Sequence, residues 1–275
     1  MRRSRLFIAV IMAGLAIVSY YGMRQENPVT GEVQHVGLSP EQEVVLGFES
    51  APQMAEQMGG VDADASVQAD VSAIGERVSQ TMAGRTPYKF RFTVLADPET
   101  VNAFALPGGP IFITRGLLAR LENEAQLAGV LGHEVGHVIN RDSAEQIAKS
   151  QLAQGLVGAV GVATTDESGR GQQAALLAAF VAQLVQLKYG RNDELGADAM
   201  GVDLMTGAGY DPRALVGVMK ILSRASGGSR QPEFFSTHPD PGNRGELIRA
   251  RIAQKFPGGV PDTLTVGRPI RLASR

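Results

Sequence analysis

The sequence contains no cysteine and no tryptophan, and only four of its 275 residues are histidine. Without cysteine the chain can form no disulfide, no thiolate metal site and no cysteine nucleophile, and no N-terminal cysteine can carry a lipid. The formal net charge is −2, so the chain lacks the basic excess that attracts nucleic acid. Any metal site must draw its nitrogen ligands from His35, His133, His137 and His238.

The composition is that of a folded globular chain. Hydrophobic residues make up 44% of the sequence and charged residues 20%. This length suits one domain of about 200–230 residues with appendages, or two small domains. The 33 glycines indicate many turns and close backbone approaches.

The N-terminal 25 residues have the pattern of an export signal. Arg2, Arg3 and Arg5 precede an uncharged, largely apolar stretch at 6–22. This pattern is typical of a cleaved signal peptide or of an uncleaved single-pass anchor, and both alternatives stay open. The arginine-rich end of such a segment stays in the cytoplasm. We therefore expect the part of the chain after residue 22 to be extracytoplasmic, in the periplasm or cell envelope. The chain would touch the membrane through 6–22 if that segment is uncleaved.

The remaining sequence predicts a linker at 26–37, a domain at 38–255 and a C-terminal tail at 256–275. The domain opens on a capping box, because Ser39 precedes Pro40 at the first helical position and Gln42 at the third. This arrangement predicts a helix to about residue 57 that stops at Gly59 and Gly60. The tail has no clear hydrophobic period, and we expect part of it to be disordered.

The central part predicts a small sheet followed by helices. Residues 88–95 alternate apolar and polar side chains, as a half-buried strand does. Two short strands at 102–106 and 111–114 flank a Pro-Gly-Gly-Pro turn. A helix from residue 123 or 124 carries the motif HEVGH and is expected to continue past Asn140. Further helices are predicted at 65–81, 115–121, 152–163, 174–187, 187–206, 213–225 and 242–255, with a flexible polar loop at 164–173.

The HEVGH motif places three polar side chains in an apolar helix. His133 and His137 are four residues apart, so they share one helix face and can point at one metal ion. Zinc accepts such imidazole nitrogens. Glu134 lies about 100° round the helix, where it can reach a metal-bound water more easily than the metal itself. Two ligands and one general base on a single turn are the arrangement of H-E-x-x-H metallopeptidases.

The third protein ligand of a catalytic zinc is expected in the segment RNDELGAD. Glu194 and Asp198 are four residues apart, so they share a helix face. Glu194 can complete the ligand set, and Asp198 can accept the distal N–H of a ligating histidine. Asp193 is the alternative ligand, although it lies one residue off the face that Asp198 shares.

Several segments together resemble the M48 family of zinc metallopeptidases. The resemblance covers roughly residues 27–250 and is closer to the periplasmic, singly anchored or secreted members than to the multi-spanning HtpX-like and CAAX prenyl endopeptidase members. It implies an α+β, mainly helical fold with a zincin-like core and a small edge-exposed sheet beside the HEVGH helix. The segments that carry the resemblance are NPVTGEVQHVGLSPEQE, NAFALPGG, HEVGH, KYGRNDELGAD, GYDP and STHPDPGNR.

The resemblance also implies roles for individual residues. It matches His133, His137 and Glu194 to the ligands of one Zn2+ per chain, and Glu134 to the general base. It implies polypeptide substrates, while the net charge of −2 is the reason to expect no nucleic acid partner.

Further residues of the site are implied by the same resemblance. Asn102, Ala103 and Phe104 match a strand that lines the cleft and can bind substrate backbone. His238 and Arg244 match groups that steady the oxyanion of the tetrahedral intermediate. In some relatives the histidine matching His238 can itself bind zinc and keep the enzyme latent.

One position departs from the family pattern. Asp142 stands where many relatives have a histidine, and since that position is not a ligand, we expect only a local detail of packing or charge to differ. His35 matches nothing in the family and is expected at the surface.

The sequence therefore predicts a zinc-dependent endopeptidase that hydrolyses protein substrates outside the cytoplasmic membrane, in envelope protein quality control. The alternative is a zinc-bearing, chaperone-like or scaffold protein with little or no proteolysis. The intact Glu134 favours the enzyme, because a scaffold has no need of a general base.

Overall fold

A computed structural model describes residues 2–162, 188–226, 233–239 and 242–272. The predicted helix at 174–187 and the predicted loop at 164–173 lie outside the described residues.

The chain begins with helix α1 (Arg2–Gly22) and a two-stranded antiparallel hairpin of β1 (Arg24–Glu26) and β2 (Val33–His35). Within the part of the chain that the structure describes, no helix combines the length and apolarity needed to cross a membrane. His35 is half-buried and stacks on Tyr20, with ring centroids 4.7 Å apart.

Helix α2 (Pro40–Gln57) confirms the predicted capping box. The Ser39 hydroxyl accepts the backbone N–H of Gln42, and the Gln42 side chain accepts the backbone N–H of Ser39. The chain leaves this helix through Gly59 and Gly60, both at positive φ. Helix α3 (Ala65–Ser79) and a short 3-10 turn follow, and the predicted apolar face is buried, as seen at Val67, Val71, Ile74 and Val78.

The second sheet has three strands in the order β3 (Arg91–Leu95), β5 (Pro110–Thr114), β4 (Ala103–Ala105). Strand β5 is wholly buried, runs parallel to β3 and is antiparallel to β4, so β4 lies at an edge. The predicted first strand began at residue 88 and is too long, because β3 starts only at Arg91 and the preceding Lys89 N–H donates to the carbonyl of Gly108, in the turn between β4 and β5.

Helix α4 (Arg115–Leu118) leads to helix α5 (Glu124–Asn140), which Asn123 caps by accepting the N–H of Gln126. The prediction that α5 continues past Asn140 is wrong. Arg141 adopts a left-handed backbone with φ of 61°, and a separate helix, α6 (Asp142–Val162), begins after it. A left-handed residue cannot continue a right-handed helix.

Four more helices are described: α7 (Arg191–Gly207), α8 (Arg213–Ser226), α9 (Phe234–Thr237) and α10 (Arg244–Lys255). Helix α7 begins later than predicted, because residues 188–190 are not helical. It crosses α5 closely at Gly132, Gly136 and Gly201, where an added Cβ would meet backbone atoms of the other helix. This approach brings HEVGH and ELGAD together.

The expected disorder of the tail does not hold for residues 256–272, and residues 273–275 lie outside the described residues. Residues 256–272 run as coil along the start of α5, where the Glu124 and Ala125 N–H groups donate to the carbonyls of Arg268 and Val266. These two donors are among the N–H groups that a helix start leaves without an intrahelical partner. The predicted fold class, α+β and mainly helical with a small sheet beside the HEVGH helix, is confirmed.

Candidate metal centre

Helix α5 carries the first two predicted ligands at the centre of the domain. The Nε2 atoms of His133 and His137 lie 3.0 Å apart, and both residues are buried. The helical spacing aims both rings at one point, as predicted. Nearly every residue of α5 is buried, so the rings face other protein groups rather than bulk water.

Glu194, on α7, reaches the same point. Its Oε1 lies 3.5 Å from Nε2 of His137, and its Oε2 lies 3.6 Å from Nε2 of His133. Asp193, the alternative ligand, points elsewhere: its carboxylate accepts the N–H of Gly190 at 2.7 Å and the amide of Gln146 at 2.9 Å. Of the two carboxylates, Glu194 therefore faces the imidazoles and Asp193 does not.

His238 completes a group of four donors. Its Nδ1 lies 3.0 Å from Oε1 of Glu194 and 3.5 Å from Nε2 of His133. Its ring stacks on Phe234, with centroids 4.3 Å apart, which fixes its orientation. One donor atom from each of the four residues lies within 4.8 Å of the others, in the set His133, His137, Glu194 and His238.

Three imidazoles and a carboxylate are donors that zinc accepts. All four side chains are buried, and burying such groups with no charge to compensate them is costly. A single divalent cation at their common point would offset that cost, so the residues present fit one Zn2+. A catalytic zinc keeps three protein ligands and one open position, and His238 is the donor that the sequence did not place among the ligands.

Asp198 and Arg244 support the cluster from α7 and α10. Asp198 Oδ1 lies 3.0 Å from Nδ1 of His133, on the side of the ring away from the cluster. The Arg244 guanidinium donates to both oxygens of Asp198, at 2.8 and 2.9 Å, and its Nη1 lies 2.6 Å from Oε2 of Glu194. Asp198 thus contacts the ring of His133, and Arg244 binds two carboxylates.

The pKa values of the carboxylates reflect these contacts. Burial, the largest effect, raises the pKa of Glu194, but the three neighbouring histidines outweigh it and hold that pKa far below its ordinary value. Burial likewise raises the pKa of Asp198, and its contacts with His133 and Arg244 more than reverse this. Both carboxylates therefore carry the negative charge that a metal site needs.

The two helix imidazoles shift in opposite directions. Burial and the neighbouring His137 lower the pKa of His133. Burial also disfavours the charged form of His137, but Asp142 and Glu194 outweigh it and raise the pKa of His137 to about 10. Since a metal ligand must be the neutral imidazole, metal binding has to displace a proton from this cluster.

Asp142 and Tyr189 contact His137, and the sequence singled out neither as a functional residue. Asp142 Oδ2 lies 2.7 Å from Nδ1 of His137. The Tyr189 ring stacks on the imidazole at 4.0 Å, and its hydroxyl lies 2.8 Å from the hydroxyl of Ser143. Asp142 follows His137 by five residues, which is not a facing position on one helix, so only its departure from the family pattern marked it.

Glu134 lies beside the four donors and is completely buried. Its Oε1 is 3.7 Å from Nε2 of His238, and neither of its oxygens has a hydrogen-bond partner among the described residues. A buried carboxyl group with unpaired acceptor oxygens is expensive, so its position calls for a partner that the described residues do not supply.

The predicted substrate strand lies close to the same helix. Ala103 and Phe104 belong to β4, one of the two edge strands of this sheet, which packs against α5. Asn102 precedes it and is buried, and its Oδ1 finds no hydrogen-bond partner within the described ranges. Phe104 stacks on Phe112 of β5, with centroids 4.9 Å apart.

Comparison with known proteins agrees with this site. The Escherichia coli (strain K12) beta-barrel assembly-enhancing protease is 32% identical over 193 residues, which are 68% of this chain but 39% of that protein. The Schizosaccharomyces pombe mitochondrial metalloendopeptidase OMA1 is 34% identical over 171 residues, 62% of this chain and 48% of that protein. The Escherichia coli (strain K12) metalloprotease YcaL is 30% identical over 169 residues, 61% of this chain and 63% of that protein.

This chain therefore spans less than two thirds of the length of each of these relatives. The family model for peptidase family M48 matches residues 65–252, a range that includes both the HEVGH and the ELGAD segments. With the metal-binding cluster inside the matched range, the chain belongs to peptidase family M48.

Proposed function

We propose that this protein is a zinc-dependent endopeptidase that hydrolyses peptide bonds in protein substrates. The observation that carries the proposal is Glu134, a buried carboxyl group whose oxygens have no partner in the described chain, next to four metal-binding side chains. A purely structural zinc site would bury no such group, because its coordination is closed and needs no base.

His133, His137 and Glu194 would hold the ion. A bound Zn2+ supplies Lewis acidity and makes water a nucleophile near neutral pH. Glu134 accepts the proton of the attacking water and passes it to the leaving nitrogen, as a general base and then a general acid.

His238 and Arg244 are proposed to act on the charge that develops at the carbonyl oxygen. His238 presents one ring nitrogen to Glu194 and the other to Glu134, so it lies where an N–H donor could face the reacting carbonyl. The contacts of Arg244 favour a second task, which is to hold Glu194 and Asp198 in place and in their charged forms.

Strand β4 is proposed to bind the substrate. An edge strand offers backbone N–H and C=O groups to an extended peptide, which adds to the sheet as a further strand. Residues 102–104 would then orient the peptide beside α5. The stacking of Phe104 on Phe112 holds β4 against β5.

We further propose that the protein works outside the cytoplasmic membrane, in envelope protein quality control. The basic N-terminus and the apolar stretch at 6–22 support export. The Escherichia coli relative is named for enhancing β-barrel assembly, which fits a protease that acts on protein clients. Fusion of residues 1–30 to a reporter that folds only after export tests this placement, and a reporter retained in the cytoplasm would contradict it.

The substitution Glu134→Gln tests the enzymatic proposal. It keeps the shape of the side chain and removes the base, so zinc content should stay at one ion per chain while casein cleavage falls by about 10²–10⁴-fold. Glu49→Gln, at an exposed carboxylate on α2, serves as the control and should cleave at the native rate. Native-rate cleavage by the Glu134 variant would show that the base is elsewhere.

The same assay separates the enzyme from the alternative scaffold or chaperone. Cleavage by the wild-type protein that stops on chelation and returns with zinc supports the endopeptidase. A protein that binds zinc and prevents client aggregation, yet cleaves no substrate, would favour the alternative.

A further inference from the structure

We propose that Asp142 is a positioning residue for the zinc ligand His137 and that the left-handed break at Arg141 puts it in place. The proposal rests on the proposed zinc site, but not on proteolysis. It assigns a function to a residue at which the sequence suggested only a local difference.

The contact of Asp142 with His137 fixes how that imidazole presents itself. With Oδ2 at 2.7 Å, the carboxylate accepts a hydrogen bond from Nδ1–H. This places the proton on Nδ1 and leaves the lone pair of Nε2 facing His133 and Glu194, the direction in which a metal would bind. Outer partners of this kind orient a ligand histidine and make it a better donor.

The ring of His137 is also held on its face. Tyr189 stacks on it nearly parallel, at an interplanar angle of 12°. The Tyr189 hydroxyl lies 2.8 Å from that of Ser143, the residue after Asp142. The first turn of α6 therefore acts on the imidazole twice. Asp142 contacts its Nδ1 directly, and Ser143 contacts the hydroxyl of Tyr189, whose ring covers its face.

The break at Arg141 makes this possible. In an unbroken helix, a residue five positions after His137 would point about 140° away from it. Arg141 instead takes φ of 61°, α6 starts after it, and the Asp142 carboxylate reaches Nδ1 of the ring.

Buried contacts hold Arg141 in this conformation. Its Nε donates to Oε1 of Glu43 at 2.8 Å, and its Nη2 donates to the carbonyl of Leu38 at 2.7 Å. Glu43 and Arg141 are both almost completely buried. A left-handed backbone at a non-glycine residue persists only where surrounding contacts over-determine it, as these do.

Asp142 and Asp198 thus play equivalent parts on the two helix ligands. Asp198 lies 3.0 Å from Nδ1 of His133, and Asp142 lies 2.7 Å from Nδ1 of His137. Each imidazole has one carboxylate behind it, one supplied by α7 and the other by α6.

The test measures metal binding directly, by competition with a chromophoric chelator. Asp142→Ala should weaken zinc binding by about 10–100-fold, the usual effect of removing such a partner. Asp142→Asn keeps an oxygen that can accept the Nδ1–H bond, so it should recover part of the loss. Glu145→Ala, which removes a partly exposed carboxylate one turn further along α6, should bind zinc like the wild type.

A spectroscopic readout separates positioning from a general effect on folding. The visible absorption of the Co2+-substituted protein should change in position or intensity in Asp142→Ala and return towards the wild-type spectrum in Asp142→Asn. An unchanged zinc affinity and cobalt spectrum in Asp142→Ala would overturn the proposal, and so would an equal loss of affinity in Glu145→Ala. A wild-type protein that binds zinc but cleaves nothing would end the proposed function and leave this inference standing.

Discussion

Individual side chains in the metal centre are held by partners from distant parts of the chain. Glu194 lies between imidazoles from α5 and the guanidinium of Arg244 from α10. The spacing of His133 and His137 was readable because it is a property of one helix. The spacing of Glu194 and Asp198 likewise favoured Glu194 over Asp193. That this face of α7 meets the two imidazoles depends on how α7 is rotated against α5, which the spacing does not give.

At the residue scale, a substitution at Asp97 tests a stabilising contact that does not involve the metal-binding cluster. This half-buried carboxylate follows β3 and accepts the backbone N–H groups of Glu99 and Thr100 at 2.8 and 3.0 Å. The hydrogen bond from the Thr100 hydroxyl and these backbone bonds lower its pKa below the ordinary 3.8.

A lowered pKa means that the charged form stabilises the fold. This contribution is fully present above about pH 4 and is lost as the pH falls through the pKa of the folded state. Asp97→Asn cannot be titrated, so its free energy of unfolding should fall less steeply than that of the wild type between pH 4 and pH 2. Urea unfolding of the chelator-treated proteins measures this, and parallel pH profiles would contradict the assignment.

At the scale of elements, the crossing of α5 and α7 determines whether the ligands can share an ion. Gly136 lies where a Cβ would come within 3.1 Å of Cα and O of Ala197, and Gly201 lies against the backbone of His133. The small residues let the two helix axes approach closely enough for Glu194 to reach both imidazoles. The sequence showed these glycines but not which of them face each other.

Gly136→Ala should therefore push the two helices apart. A Cβ at 3.1 Å from backbone atoms cannot be relieved by turning a side chain, so we expect a loss of about 1–3 kcal/mol in the free energy of unfolding and weaker zinc binding.

Gly245→Ala is the matched control, since an added Cβ there meets only the end of the Arg249 side chain, at 3.9 Å. No close contact opposes the added methyl group, so only the difference in helix propensity between glycine and alanine remains. The free energy of unfolding should therefore stay within about 1 kcal/mol of the wild type. Equal effects of the two substitutions in thermal unfolding would mean that the crossing tolerates a methyl group at Gly136.

At the scale of the whole molecule, two segments far apart in sequence, the hairpin after α1 and the C-terminal coil, pack against α5. The N-terminal hairpin includes part of the predicted linker, and its neighbour Asn27 donates to the carbonyl of Ile139, at the end of α5. Residues 256–272 cover the start of the same helix. Hydrophobic periodicity gave no sign of either contact, because both segments are short and lack regular secondary structure over most of their length.

Ile270 tests whether the tail is part of the folded domain. It is half-buried and packs against the main core, whereas Val266 in the same segment is 51% exposed. Ile270→Asp should lower the free energy of unfolding by about 1–3 kcal/mol, and Val266→Asp should have little effect. If both variants unfold like the wild type, the tail contributes nothing to stability.

The sequence by itself determined the local features of this protein: the capping box at Ser39, the cap of α5, the helical face shared by His133 and His137, and the candidate base Glu134. Each depends on residues a few positions apart, whose relative placement a helix turn dictates. Only the tertiary structure showed that His238 lies beside the three predicted ligands, that Asp142 contacts His137 and that Arg141 separates α5 from α6. These depend on contacts such as that between Arg141 and Glu43, 98 positions apart, which no local period encodes.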